Sequence, residues 1–247
     1  MTATRAPSPK NAPPRGGVVV GVDVGGTFTD LFFLDEAGGR AWTAKVPSTP
    51  ANQADGFVAG LESGLGDLAR AATIVHGTTV GTNALLERKG APTGVITTAG
   101  FRDVLEMRRR DRPRTWGLWG QFRPIVPRDL RLEVAERTLA DGTVHEAVDP
   151  AAVEAAARRL LAAGCEAVAL IFVNSYANPA NERASAEALR ACWPNASVTV
   201  SSEILPEIRE FERASTTALN AYLQPVMGRY LTALESRAGE RGFAGRI

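Results

Sequence analysis

Apolar runs at residues 18–20 and 31–34 flank the decapeptide Gly21-Val22-Asp23-Val24-Gly25-Gly26-Thr27-Phe28-Thr29-Asp30, a pattern that predicts strand, tight glycine turn, strand. Glu36-Ala37-Gly38-Gly39 reads as a turn, and residues 40–46 alternate as a third strand, so the chain opens as a meander. Residues 50–65 then predict a helix that buries Phe57, Val58 and Leu61, although Gly56 and Gly60 weaken the pattern. A short strand at 73–76, a helix at 79–88 closed by Lys89-Gly90, a strand at 93–97 and a short helix at 101–107 complete the first region.

The pattern starts again after residue 126. Residues 130–139 alternate as a strand, Asp141-Gly142 makes a hairpin turn, and 143–147 return. Asp149 caps a helix with Pro150 at its first position; Val153, Ala157, Leu160 and Leu161 share a face, and Gly164 ends it. Residues 165–173 are continuously apolar, as expected of a central strand buried on both faces. A helix at 179–192 and a strand at 197–200 follow, giving a second α/β unit inserted after the first. The last long element is a helix at 212–237, with Leu219, Tyr222, Leu223, Val226, Tyr230 and Leu234 on one stripe and a kink expected at Pro225.

Composition narrows the function classes. A 247-residue chain with 45% hydrophobic and 22% charged residues is ordinary for a soluble globular protein, and a net charge of +1 gives no reason to expect nucleic acid or an anionic membrane as partner. Cys165 and Cys192 are isolated in sequence, which points to reduced thiols and a cytoplasmic protein. The proline-rich residues 1–17 lack an apolar core and read as a disordered tail rather than a signal peptide, and the apolar run at 167–173 is too short to span a bilayer.

Two segments carry candidate chemistry. Gly25 and Gly26 permit positive φ and close approach of backbone N–H groups to an anion, Thr27 and Thr29 add hydroxyls, and Asp23 is placed to hold a hydrated magnesium ion against a phosphate. The P-loop is excluded because the chain has no Gly-Lys pair; the dinucleotide fingerprint is excluded because the glycines have the wrong spacing and lead into a strand. A plain glycine hairpin is the alternative. The second segment, His76-Gly77-Thr78-Thr79-Val80-Gly81-Thr82-Asn83-Ala84, lies where a strand ends and a helix begins, the end of a sheet at which ligands bind. Here Thr78 and Thr79 are either ordinary caps or, with His76 and Asn83, part of a ligand site.

Other polar features are weaker. Arg108, Arg109, Arg110, Arg112, Arg114 and Arg123 crowd a segment with Pro113, Trp116, Trp119 and Phe122, which is either a solvated loop or a substrate or subunit contact. Glu203, Glu207, Glu210 and Glu212 read as helix-start charges and surface pairs, and His145 as surface. Ser175 and Asn178 read as caps of the following helix.

The two glycine- and threonine-rich segments, extended to Glu87-Arg88-Lys89-Gly90, resemble the N-terminal region of the hydantoinase A and 5-oxoprolinase family. Further matches are Gly100-Phe-Arg-Asp-Val-Leu-Glu106, Ser175-Tyr-Ala-Asn-Pro179, Ser201-Ser-Glu-Ile-Leu-Pro-Glu-Ile-Arg209 and Asn220-Ala-Tyr-Leu-Gln-Pro225. Asn174 departs from the family, which often has His or another polar residue there. The resemblance implies an α/β fold: an actin-like (ribonuclease H-like) half with a mixed sheet at 18–107, an Arg/Trp loop and inserted α/β unit at 108–205, and a C-terminal helical segment at 206–247. It also implies that Gly25, Gly26, Thr27, Phe28 and Thr29 contact the phosphates of ATP, that Asp23 holds Mg2+ through water, and that His76, Thr78, Thr79 and Asn83 serve catalysis.

Members of that family use ATP to open cyclic amides, and relatives carboxylate ketones. The expected function is therefore the N-terminal part of an ATP-dependent cyclic amide hydrolase. An acetone- or acetophenone-type carboxylase subunit and a non-catalytic scaffold subunit are the alternatives. An actin-like ATPase closes a cleft between two halves, and only one Asp-x-Gly-Gly-Thr motif occurs here. The expected partners are thus a small cyclic amide, the second half of the ATPase and a hydantoinase B-type subunit or domain.

Overall fold

The computed structural model describes residues 17–49, 53–109 and 122–247. The expected tail, the start of the first long helix, and Arg110, Arg112, Pro113, Arg114, Trp116 and Trp119 lie outside the described residues. The described residues divide into two compact units, those within 17–83 with 227–247 and those within 84–226.

The first unit is built on β1 (Val18–Val24), β2 (Phe28–Asp35), β3 (Arg40–Pro47) and β4 (Ala71–Thr78), in the order β3-β2-β1-β4. β1 and β3 both run antiparallel to β2, whereas β1 and β4 are parallel, so the sheet is mixed. Alternation decides its faces. Val18, Val20, Val22 and Val24 pack with Leu31, Phe33 and Ile74 against Phe57, Leu61 and Leu65 of α1 (Gln53–Leu65). Gly60, one of the two glycines that weakened the helix pattern, permits this contact, as does Gly64. A Cβ on Gly60 would stand 2.6 Å from Leu31, and one on Gly64 2.1 Å from Phe33, which also stacks on Trp42 with ring centroids 5.3 Å apart. The opposite face carries Asp23, Asp30, Phe32, Lys45 and Val75, all exposed. At the edge of the sheet, the Ile74 amide donates to the Arg246 carbonyl at 2.8 Å, beside a parallel bridge from Thr73 to Arg246.

After β4 comes α2 (Val80–Leu86), which ends earlier than expected. Arg88, not Gly90, takes the left-handed conformation that closes it, at φ 54°. Gly90 is required for space instead, because a Cβ there would lie 2.1 Å from the Tyr222 ring.

The second unit holds β5 (Thr93–Thr98), the short α3 (Val104–Met107), β6 (Arg131–Val134), β7 (Arg137–Thr138), β8 (Val144–Glu146), α4 (Pro150–Ala162), β9 (Ala167–Ile171), α5 (Ala180–Cys192), β10 (Val198–Val200) and α6 (Ser201–Ile204). Its main sheet is parallel throughout, in the order β10-β9-β5-β6. The strand expected at 93–97 in the first half therefore pairs in the other sheet. All six of its residues are buried, which suits an interior position between β9 and β6. The single strand expected at 130–139 is two strands in different sheets, since β7 leaves β6 to form a hairpin with β8. One face of the parallel sheet packs Ile96, Val168 and Leu170 against α4 and α5; the other packs Val95, Ala167, Ala169 and Ile171 against Leu105, Ala214, Ala218 and Ala221.

The last helix, α7 (Glu210–Glu240), contains Pro225. Of the expected stripe, Tyr222 and Leu234 are buried, while Leu219, Leu223, Val226 and Tyr230 are half-buried. Alanines 214, 218, 221 and 238 carry much of the buried face, because small side chains let a helix backbone come close to its neighbours. Among the described residues no helix is long and apolar enough to cross a membrane, and no group of three or more His, Cys, Asp or Glu could hold a metal ion. Both cysteines are free.

Candidate nucleotide site

The parallel register of β1 and β4 sets Val24 beside Thr78 and Asp23 beside Gly77. The turn after β1 and the start of α2 are thereby neighbours at the carboxyl ends of adjacent strands, within the first unit. The turn is closed by the Gly25 amide, which donates to the Phe28 carbonyl at 3.0 Å. Neither Gly25 nor Gly26 adopts the positive φ that the sequence pattern suggested. Gly25 is small because a Cβ would stand 3.0 Å from the Phe28 oxygen; Gly26 faces open space.

Ser48, which sequence reasoning missed, braces this turn from the end of β3. Its hydroxyl donates to the Gly25 carbonyl at 2.8 Å and lies 3.0 Å from the Thr29 hydroxyl, and its amide donates to the Thr27 carbonyl at 2.9 Å. Thr29 is fully buried, so its hydroxyl supports the turn rather than facing outward. Gly26 and Thr27 are exposed, and their amides and the Thr27 hydroxyl have no hydrogen-bond partner among the described residues. A braced turn that leaves two amides and a hydroxyl free is suited to an anion. Phe28 is also exposed, with Lys45 Nζ 5.0 Å from its ring centroid.

The Asp23 carboxylate is exposed and makes no hydrogen bond or ion pair among the described residues. A Cβ at Gly77, on the adjacent strand, would make ordinary van der Waals contact with Asp23 Oδ1, at 3.5 Å. These features suit a hydrated divalent cation beside a phosphate. His76 is one residue out of phase with Asp23 and occupies the covered face. Its Nε2 is 2.7 Å from the Tyr230 hydroxyl on α7, and its ring meets Phe57 edge-on at 5.3 Å. Burial lowers its pKa against the opposing effects of the Val22 carbonyl and the Asp23 charge, and burial raises that of Tyr230. His76 thus links β4 to α7. Thr78 caps α2 by accepting from the Val80 amide at 3.2 Å, and the Asn83 amide group donates to the Thr79 hydroxyl at 3.3 Å. The structure brings Thr78, Thr79 and Asn83 together near the turn, while the His76 imidazole faces the helices.

In the second unit, the carboxyl ends of the parallel strands hold a buried polar network that the sequence reading passed over. Glu136 accepts from Thr98 Oγ1 and from Asn181 Nδ2, the latter at 2.7 Å. Glu182 accepts from the Phe172 amide at 2.7 Å, the Ser202 amide at 2.9 Å and the Ser201 hydroxyl. Burial raises the Glu136 pKa, and the Glu182 charge adds to that rise. Ser175 does not cap α5; its hydroxyl meets that of Ser201 at 3.2 Å, while Asn178 does accept from the Ala180 amide as expected. The available sequence signal was a polar pair at or directly after the end of an apolar strand, as in Thr97-Thr98 and Ser201-Ser202.

Four likenesses accompany this geometry. A profile of the hydantoinase/oxoprolinase N-terminal region matches residues 19–193. The caprolactamase subunit alpha of Pseudomonas jessenii is 37% identical over 238 residues, covering 90% of this chain and 34% of that protein. A crystal structure of ATP-dependent caprolactamase from the same organism aligns with a TM-score of 0.80 at 35% identity, over 91% of this chain and 34% of that one. A nucleotide-free structure of acetone carboxylase, from work on ATP-dependent acetone carboxylation, aligns with a TM-score of 0.78 at 31% identity, over 92% and 35% respectively. The chain spans about a third of the length of the curated relatives it matches.

Proposed function

Because the chain belongs to the hydantoinase/oxoprolinase N-terminal region family, we propose that it is the N-terminal part of an ATP-dependent enzyme that opens cyclic amides. One observation carries the reading: among the described residues, a braced glycine turn leaves the amides of Gly26 and Thr27 free at the carboxyl ends of β1 and β4, next to the unpaired carboxylate of Asp23. Gly26 and Thr27 would hold a phosphate through their amides and the Thr27 hydroxyl. Ser48 and Thr29 would keep those donors aimed, and Asp23 would hold Mg2+ through water. ATP supplies the phosphoryl group that makes the oxygen of an unstrained amide a good leaving group. Thr79 and Asn83, exposed or half-exposed at the start of α2, would orient substrate; His76 would position β4 rather than transfer protons. The second half of the ATPase, a hydantoinase B-type subunit or domain and a small cyclic amide would be its partners.

A ketone carboxylase subunit is the second reading, favoured by the likeness to acetone carboxylase. The two separate on substrate-dependent ADP release by the assembled enzyme. A cyclic amide hydrolase releases ADP without bicarbonate, whereas a carboxylase requires it. In the same assay Asp23→Ala is expected to lower ADP release by about 10–100-fold, as loss of an outer-sphere metal partner does. Unchanged release would refute the catalytic reading and favour a scaffold role.

A further inference from the structure

The part of α7 that belongs to the first unit begins with Met227 and carries Tyr230 one turn further on, on the same side of the helix. Both stand against the junction of β4 with α2. The Tyr230 hydroxyl is 2.7 Å from His76 Nε2, with ring centroids 5.6 Å apart, and a Cβ on Gly81 would be in van der Waals contact with Met227 Sδ, at 3.4 Å. His76 and Thr78 are two residues apart on β4, so their side chains leave the same face of the sheet, the one turned toward α7. The Thr78 side chain accordingly acts on the Tyr230 hydroxyl by hydrogen bonding, which opposes the rise that burial gives its pKa. A hydroxyl has one proton and two lone pairs, enough to serve both.

With seven residues, α2 is too short to be stable alone, so its direction depends on how its start is held. Thr78 Oγ1 accepts from the Val80 amide at 3.2 Å, and the Asn83 amide donates to the Thr79 carbonyl at 2.8 Å. The first bond depends on the Thr78 rotamer, which the Tyr230 hydroxyl holds from the other side. The side chains of Thr79 and Asn83, joined at 3.3 Å, turn with the same start. His76 Nδ1 is buried with no hydrogen-bond partner among the described residues, so a proton held at Nε2 has no hydrogen-bonded exit through the ring. The bond between His76 and Tyr230 therefore holds position and relays nothing.

We propose that Tyr230 is a positioning residue of the nucleotide site: its hydroxyl, anchored on His76, holds the Thr78 cap and so fixes the start of α2, from which Thr79 and Asn83 face the ligand. This role rests on the nucleotide reading of the glycine turn. It adds a residue 154 positions beyond His76, on an element that contributes nothing to the glycine motif.

Tyr230→Phe removes the hydroxyl and keeps the ring. In the full chain, amide hydrogen exchange followed by NMR should quicken about tenfold at Val80 and Asn83, a rise confined to the junction. In the assembled enzyme, kcat for substrate-dependent ADP release should fall about tenfold, while nucleotide affinity by calorimetry stays within about twofold of the parent. Thr78→Val cuts the same link from the other end, so adding Tyr230→Phe to it should lower kcat no further. The role of Tyr230 is overturned by unchanged exchange, by a rise spread evenly over the first unit, by a loss of nucleotide affinity in place of kcat, or by losses that add across the two variants. Asp23→Ala keeps the two readings apart. If it lowers ADP release and Tyr230→Phe does not, only the role of Tyr230 fails; if it leaves release unchanged, the nucleotide reading fails, and the exchange result alone decides whether Tyr230 holds α2.

Discussion

Along β1 and β2 buried and exposed positions alternate, whereas every residue of β5 and β9 is buried. The first sheet has one open face, on which Asp23, Asp30 and Lys45 stand in water and the glycine turn projects free amides. In the second, the inner strands β5 and β9 are covered on both faces, and most buried polar groups stand at strand ends, where nearly every donor finds an acceptor. Open burial leaves hydrogen-bonding capacity available to a ligand; complete burial consumes it in holding the fold together. Among the described residues of the second unit, the buried side-chain atoms left without a partner are Arg131 Nη2, Ser185 Oγ and Arg213 Nε, which are conspicuous for that reason.

The largest expected effect tests the closed region. Glu182→Ala would leave the Phe172 amide, the Ser202 amide and the Ser201 hydroxyl without their acceptor in a buried site. At about 1–3 kcal/mol for each buried group left unsatisfied, a loss of about 3–5 kcal/mol is expected, read from urea unfolding. A loss below about 1 kcal/mol would mean that water replaces the carboxylate, and that the two regions differ less than their burial implies.

Next in size is a pair of glycines in the open region. Gly64→Ala drives a methyl into Phe33, which is fully buried and stacked on Trp42, and should cost about 1–3 kcal/mol. Gly26→Ala meets open space at a φ an alanine tolerates, and should change stability by less than about 0.5 kcal/mol. If the turn binds phosphate, Gly26→Ala instead weakens nucleotide binding, measured by calorimetry on the assembled enzyme. Opposite results for the two glycines in stability and in binding would separate a packing glycine from a ligand-facing one.

The open region was legible in the sequence because its pattern is local. Alternation marked β1 to β3, and the glycine motif from Asp23 to Thr29 announced its own turn. What failed there was nonlocal or geometric: Ser48 braces a turn some 20 residues away, and the position of His76 depended on strand phase and on Tyr230, far along the chain. In the second unit an apolar run such as 165–173 identified a central strand. Nothing in its composition said that β5 would be its neighbour, since parallel pairing leaves no turn signature. Glu136, Asn181 and Glu182 looked like ordinary polar residues because the sequence does not show which end of a sheet a loop will cover. Arg213 was concealed among the charges that open α7.

The smallest effect concerns pH, and here the regions should respond with opposite sign. Burial holds His76 below its ordinary value of 6.5, so its contribution to stability is complete above about pH 6.5 and is lost as the pH falls through the lowered value. Burial holds Glu136 above the ordinary carboxylate value of 4.5, so its contribution is complete below about pH 4.5 and is lost as the pH rises through the raised value, the unfolded chain releasing its proton first. Between those limits the slope is about 1.4 kcal/mol per pH unit for each group. Glu136→Gln removes the second slope and leaves the first. Relative to the parent, its melting temperature should therefore rise as the pH increases from 4.5 and level off once the parent's carboxyl is ionised in the folded state. A difference that stays flat across that range would show that the hydrogen bonds from Thr98 and Asn181 cancel the cost of burying the charge. Glu136 would then be as well accommodated as a surface carboxylate, despite the closed sheet above it.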